Sequence, residues 1–445
     1  MAGGTFNPNI PKKRPGVYVN VKSGRNAGTS PALRGIVAMP LVGYDWGPKG
    51  KFLEISSVAP DASLSQIGRS VADDNKFMRR IKMALLCADT VQVYIPAGGT
   101  KATGSATITD GQLTITAMYE GTMGNNLKVV SVANPVGGFD VSVYNGTEEV
   151  ELFEGVTNAE DLIGKSAYVE FSGSGKLAAF ASTSLSTGTD AEDDNTGWTA
   201  FLDACEDLRF DCMCFPEDDE DLQAALLSKI KFIRENLGRK CQAVAPNFAA
   251  DYEGIINLVN GVVYDGVDVD ATEATAFVAG ITAAADYVTS NTYAVFPGAT
   301  GIIGRKTNEE SEASIDAGEM FFSFDEEGNV IIEYDINSLT TFTYEKTEDY
   351  RKNRVLRVYD SLANELRTTF VPGRYQNTAE DWEVMESLGR SILSAYEAAG
   401  AITDVSLEDD FYVDQSRSVG EATYFNVAVQ AMDSAEKLYF SVTTR

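Results

Sequence analysis

Two cysteines one residue apart, Cys212 and Cys214 in "FDCMCF", are spaced to hold a metal or to exchange electrons. On a β-strand residues i and i+2 point to the same face, so both thiols would meet one neighbour. A zinc site needs two further ligands, and Cys205 and Cys241 do not make a second knuckle. The sequence contains no histidine. That removes every His-ligated metal site and every Ser-His or Cys-His nucleophile. Thiols without such partners pack as small apolar groups, so this stretch reads as a core strand and the five cysteines as reduced.

Two further stretches invite a chemical reading. "FSGSGKLAAF" matches G-x-G-x-x-A at Gly173, Gly175 and Ala178, the pattern of a dinucleotide loop. It lies in an all-β stretch with no βαβ unit behind it, and Lys176 is followed by Leu177 where a phosphate loop needs Ser or Thr. It reads as a turn. "DGVDVDATE" offers Asp265, Asp268, Asp270 and Glu273 to calcium, but Thr272 and Glu273 stand where a ligand and the glycine should be. This is a loop that caps a helix through Asp270. Asp218–Asp221 likewise reads as a helix start, where the dipole favours acids. No catalytic, cofactor-binding or metal-ligating residue is assigned, and no enzyme is expected.

The elements around these stretches divide the 445 residues into several units. Residues 30–97 alternate strand, helix, strand: a buried strand in "LRGIVAMPLVGY", an amphipathic helix in "DDNKFMRRIKMALLCA", then the apolar strand "DTVQVYIP". Residues 98–197 are short alternating strands with hairpin signals at "TDGQ" and "YNGT". Residues 198–342 alternate helix and buried strand as in a doubly wound α/β domain, then end in a hairpin across "EEGN". Within 343–432, "RVLRVYDSLANELRTTF" starts as a strand and turns helical. "TAEDWEVMESLGRSILSAYEAAGAI" is a long helix capped by Thr378, and "FYVDQSRSVGEATYFNVAVQAM" a strand pair. Residues 1–29 and 433–445 stand apart from all of these. No apolar run suits a membrane span, and no secretory signal is visible at the start.

Charge is unevenly spread. The net charge of −29 comes from 13 Lys+Arg against 6 Asp+Glu in residues 1–100, 12 against 41 in 101–341, and 11 against 18 in 342–445. So acidic a body disfavours nucleic acid or an anionic membrane as partner.

Each end of the chain carries a lone strand. In "RPGVYVNVKS" Val17, Val19 and Val21 alternate with Tyr18, Asn20 and Lys22, and a loop of small residues follows instead of a hairpin partner. In "EKLYFSVTTR" Leu438, Phe440 and Val442 alternate with Tyr439, Ser441 and Thr443. An unpaired strand is a liability unless something pairs with it. On a tether it can complete another subunit's sheet, and two such arms per chain make every copy both donor and acceptor of an open helical assembly.

Those arms, with "YEGTMGNNLKVV" (119–130), "YEKTEDYRKNRVLRVYD" (344–360), the helix ending "AAGAI" (398–402) and the terminal "AEKLYFSV", resemble the contractile-tail sheath proteins of phages and R-type bacteriocins. The resemblance implies a multidomain α/β and α+β fold. A discontinuous α/β core domain (30–97 with 343–432) would have exchanged terminal strands, and it would carry an inserted β-rich domain (98–197) and a non-catalytic, subtilisin-like α/β domain (198–342). It implies a polymer of this chain around an inner tail tube, ending on baseplate and tail terminator proteins, in the tail of a virion or bacteriocin particle assembled in the host cytoplasm. It needs no cofactor. The N-terminal arm (Arg14, Val17, Tyr18, Val19, Val21) and the C-terminal arm (Leu438, Tyr439, Phe440, Val442) would add strands to neighbours. Arg351, Lys352, Arg354, Arg357 and Arg390 are candidates to meet an acidic tube. Two other classes compete with this reading, a different self-assembling shell protein and a nucleotide-binding α/β enzyme.

Overall fold

The computed structural model describes residues 2–4, 16–18, 34–192 and 194–443. Its centre is a seven-stranded sheet in the order Glu319–Met320, Ile255–Leu258, Gln242–Pro246, Cys212–Cys214, Ile36–Pro40, Thr90–Tyr94, Phe52–Ser56. All neighbours run parallel except Phe52–Ser56, which closes one edge antiparallel to Thr90–Tyr94. The inner strands are short apolar runs covered on both faces, the condition under which parallel sheets form. Their side chains alternate between two cores. Val37, Met39, Cys212 and Cys214 face one, with Phe277 and Ile81. Ala38 and Met213 face the other, with Trp198 and Leu226.

The expected separation of residues 30–97 from an α/β domain at 198–342 therefore does not hold. Strands 36–40 and 212–214 are hydrogen-bonded neighbours. The helices on one face are joined as closely: a Cβ on Gly280 of the Ala271–Ala284 helix would come within 2.3 Å of the Ala84 carbonyl oxygen on the Lys76–Leu85 helix. Arg79–Glu273 (3.2 Å) ties the same pair, and Lys82–Asp265 (2.5 Å) ties the first helix to the turn after strand Gly261–Tyr264. A parallel sheet can take strands from segments far apart in sequence, because each crossover leaves and re-enters at any position, and strand periodicity does not reveal which strands are neighbours.

Between residues 101 and 184 the chain builds a four-stranded and a three-stranded antiparallel sheet, with both expected hairpins in place. The two ends of this insertion meet, the Thr100 N–H donating to the Thr189 carbonyl at 3.0 Å.

The C-terminal segment is led by the Asn353–Thr369 and Ala379–Ala398 helices. Residues 353–369 are helical throughout, which corrects the expected strand start. Val355, Val358, Leu362 and Leu366 recur at helical spacing, and three of the four are buried. Two small ribbons follow, Ile402–Thr403 with Gln430–Ala431 and Phe411–Val413 with Phe425–Val427.

Gly389 lets the Ala379–Ala398 helix rest on Phe411, whose ring would lie 2.1 Å from an added Cβ. Gly389→Ala should lower stability by about 1–3 kcal/mol despite its better helix propensity, because overpacking outweighs the roughly 1 kcal/mol gain. Urea unfolding measures this, and an unchanged or raised midpoint would contradict the packing.

Candidate functional site

The chemical motifs are spent on structure. Cys212 and Cys214 lie fully buried in the sheet, and Cys214 Sγ is 3.4 Å from Thr275 Oγ1. Burial pushes the Cys214 thiol up to about 11 and that of Cys241 up to about 12, so both stay protonated and unreactive. Gly173 and Gly175 hold φ of 150° and 110° in a turn whose Gly175 N–H donates to Glu160. A side chain at Gly173 would strike the Gln112 carbonyl at 2.6 Å. Asp265 and Glu273 are the ion-pair partners of Lys82 and Arg79, Asp270 caps its helix through the Glu273 N–H, and Asp219 caps the Glu220–Lys231 helix. Among the described residues no group of three or more His, Cys, Asp or Glu is placed to hold a metal.

Open α/β sheets bind ligands at the carboxyl ends of neighbouring strands where the order reverses. Here that point lies between Ile36–Pro40 and Cys212–Cys214, and side chains fill it. Gly197 packs against Val42 and Pro96 with an ideal Cβ only 3.2 Å from each, and the rings of Trp198 and Phe215 stand 5.0 Å apart edge to face.

The ends of the chain are different. At the front, backbone strand Gly16–Tyr18, which holds Val17 and Tyr18, pairs in parallel with Ala2–Gly4. The expectation of a strand with nothing beside it is corrected to that extent. Arg14, Val19 and Val21 lie outside the described residues. At the other end the last ladder is Gln430–Ala431. Beyond it Leu438 is 66%, Tyr439 89%, Phe440 85% and Val442 90% exposed, with no strand partner among the described residues. Four large apolar side chains within five residues, laid open to water, form a surface that is incomplete by itself.

A built root holds this tail. Glu436 is nearly buried and accepts from Ser290 Oγ (2.7 Å), Thr292 Oγ1 (2.8 Å) and the Lys352 ammonium. Lys352 also faces Asp433 at 3.7 Å and lies 4.3 Å from the Tyr334 ring centre. Burial lowers the Lys352 ammonium from its usual range, opposed by the charge of Asp433. Lys437 still lies 6.0 Å from the Tyr334 ring centre, and from Leu438 onward no side-chain hydrogen bond or ion pair is made among the described residues.

The basic residues expected on a tube surface divide accordingly. Arg357 is 1% exposed and donates to Asp335 Oδ2 and the Thr289 carbonyl, each at 2.7 Å. Arg354 is buried and donates to the carbonyls of Val288 (3.0 Å) and Met432. Both guanidiniums lie inside the chain, so neither is a surface charge. Lys352 belongs to the root of the tail. Arg390 bonds Glu386 at 3.2 Å and the Phe411 carbonyl at 3.3 Å, and keeps part of its surface in water, as does Arg351. Glu436 itself gave no signal in the sequence, since its partners are 84 to 146 residues away.

Comparison with known proteins bears on what such a surface is for. Residues 97–191 match the family model of the phage tail sheath protein β-sandwich domain, 191–338 that of the phage tail sheath protein central domain, and 345–445 that of the phage tail sheath C-terminal domain. The phage-like element PBSX protein XkdK of Bacillus subtilis is 33% identical, covering 99% of this chain and 99% of its own. The crystal structure of a sheath tail protein from Desulfitobacterium hafniense superposes with a TM-score of 0.82 at 34% identity, covering 96% of this chain and 99% of that one. A subunit of the anti-feeding prophage helical sheath in its contracted state shares the fold at 12% identity, with a TM-score of 0.56 over 98% of this chain and 100% of that chain.

The anchor can be tested on the isolated chain. Glu436→Ala should lower stability by about 1–3 kcal/mol in urea unfolding, since Ser290, Thr292 and Lys352 lose a largely buried acceptor. It should also speed tryptic cleavage after Lys437 severalfold as the root detaches. Equal cleavage rates would show that Glu436 does not hold the tail.

Proposed function

This chain belongs to the phage tail sheath family, and we propose that its copies polymerise as a helical sleeve around an inner tube and contract to drive that tube through a target envelope. The observation that carries the proposal is the exposed apolar segment 438–442 beyond a fixed root. Added to a neighbour's sheet, it gains backbone hydrogen bonds and removes its apolar side chains from water, at about 25 cal/mol per Å² buried. The N-terminal segment is the second arm. One strand given and one received at each contact, repeated by a rotation that does not close, extends without limit.

Contraction then needs bodies that stay rigid while the arms flex. The Asn353–Thr369 helix is bound by Gln242–Asn353 (2.8 Å) to a strand of the central sheet. Arg234–Asp360 (2.6 and 3.0 Å) ties it to the helical turn Phe232–Asn236, and Arg357–Asp335 to the loop after Val330–Ile332, all buried. Breaking one such buried pair by removing a partner costs about 3–5 kcal/mol, so subunits shift as blocks and the arms keep them connected. The working free energy resides in the assembled extended state, and no nucleotide takes part. The filled crevice beside Trp198 argues against the nucleotide-binding alternative. We read the doubly wound sheet as the family's subtilisin-like unit, which without histidine carries no triad. Inner tube, baseplate and terminator are the partners we propose. Of the five basic candidates, Arg351 and Arg390 are the ones that remain proposed for the tube.

Leu438→Asp with Phe440→Asp should leave secondary structure and melting unchanged, because neither side chain is packed. It should also abolish sleeves in negative stain, leaving monomer in sedimentation. Sleeves of normal length from that variant would overturn the arm mechanism.

A further inference from the structure

A half-enclosed cavity of about 220 Å³ opens where the turn at 237–241, the segment 208–211 and the Asn353–Thr369 helix meet. Five cations line it: Arg34, Arg209, Arg239, Lys240 and Arg367. None of them forms an ion pair among the described residues, although the chain has 65 Asp and Glu. Arg239 spends donors on the Leu208 (2.7 Å) and Glu206 carbonyls, and Lys240 on the Arg234 carbonyl at 3.1 Å. Arg34 donates one Nη to the Thr282 carbonyl at 3.2 Å, and its buried Nε has no partner. Asp211 is the one acid on this wall among the described residues. Its Oδ2 accepts from the Gly35 and Ile36 N–H groups at 2.9 and 3.1 Å, and where burial lowers the Arg34 guanidinium the Asp211 charge opposes it. Arg209 and Arg367 are exposed and bonded to nothing described. Below the charges the floor is apolar, formed by Phe210, Ile233 and Cys241.

We propose that this cavity receives an acidic segment of a second copy of the chain, its carboxylates on the rim cations and an apolar side chain on the floor. The proposal rests on the polymer reading above. Charge complementarity selects the occupant. Five cations beside a single carboxylate repel one another, and a cleft lined mainly by one sign of charge focuses its field outward. A neighbouring copy presents the opposite sign, since residues 101–341 hold 41 carboxylates against 12 cations. Subunits of net charge −29 must also offset their mutual repulsion to assemble, and a cationic seat on each one does so at the contact itself. The cavity lies at the amino ends of the sheet strands, away from the crevice where this architecture binds small ligands, which fits a protein contact.

The test is Arg209→Glu with Arg367→Glu, beside Arg209→Lys with Arg367→Lys, with folding checked by thermal melting. Sleeve growth followed by light scattering and negative stain should slow on the order of tenfold for the charge reversal at ~0.1 M salt, with the difference vanishing near 1 M, where screening shortens to ~3 Å. The lysine pair should grow like wild type. If wild type does not polymerise, the sheath reading fails and takes this inference with it. If wild type polymerises and the charge reversal matches it at every salt concentration, this inference alone fails. Normal growth of the reversed variant by itself, with failure only in enclosing purified tube protein, would assign the cavity to the tube and likewise overturn it.

Discussion

Arg357 and Asp335 hold the molecule's parts in one arrangement. Both are 1% exposed and 2.7 Å apart, and a lone charge so deep in protein costs several kcal/mol. Neither can leave the other without that penalty. Asp335 also accepts from the Asn291 N–H at 3.0 Å and from Asn353 Nδ2 at 2.9 Å, so one carboxylate sets the position of the Asn353–Thr369 helix against the sheet and its connecting loop. Asn353 in turn accepts from Gln242 on a central strand. From this junction the C-terminal helices, the small ribbons and the tail all take their place.

Much of the fold was legible in the sequence, where local physics decides. The caps at Asp270 and Thr378, the hairpins at Asp110-Gly111 and Asn145-Gly146, and the buried strand through Cys212 follow from residue chemistry within a few positions. The start of the 353–369 helix carries no decisive period, because Val355 and Leu356 stand together between Arg354 and Arg357, a span too short to tell a strand from a helix. Two arginines normally found in water are here in the interior, so their charge pointed outward while their burial points inward. The pairing of strand 36–40 with strand 212–214 had no local signal at all.

The site was legible by kind and not by detail. Apolar alternation with nothing to pair marked the C-terminal arm, and exposure of Tyr439 and Phe440 agrees with that pattern. The anchor at Glu436 and the cationic cavity depend on residues brought together over long separations: Ser290 with Glu436, and Arg34 with Arg367. Charge counted along the chain placed the acidic excess in the middle, yet the cations that matter for the cavity come from four separate segments.

Thr100 and Thr189 lie side by side where the β-rich insertion leaves after the Thr90–Tyr94 strand and returns toward the Asn195–Ala204 helix. The path of the chain through the central sheet is thus closed at a doorway two strands wide, whatever stands on the far side. The insertion can be lengthened at its far end without rethreading a strand behind this doorway, while its near end, where Tyr119 meets Trp46 edge to face at 5.3 Å, must keep the shape of the surface it stands on.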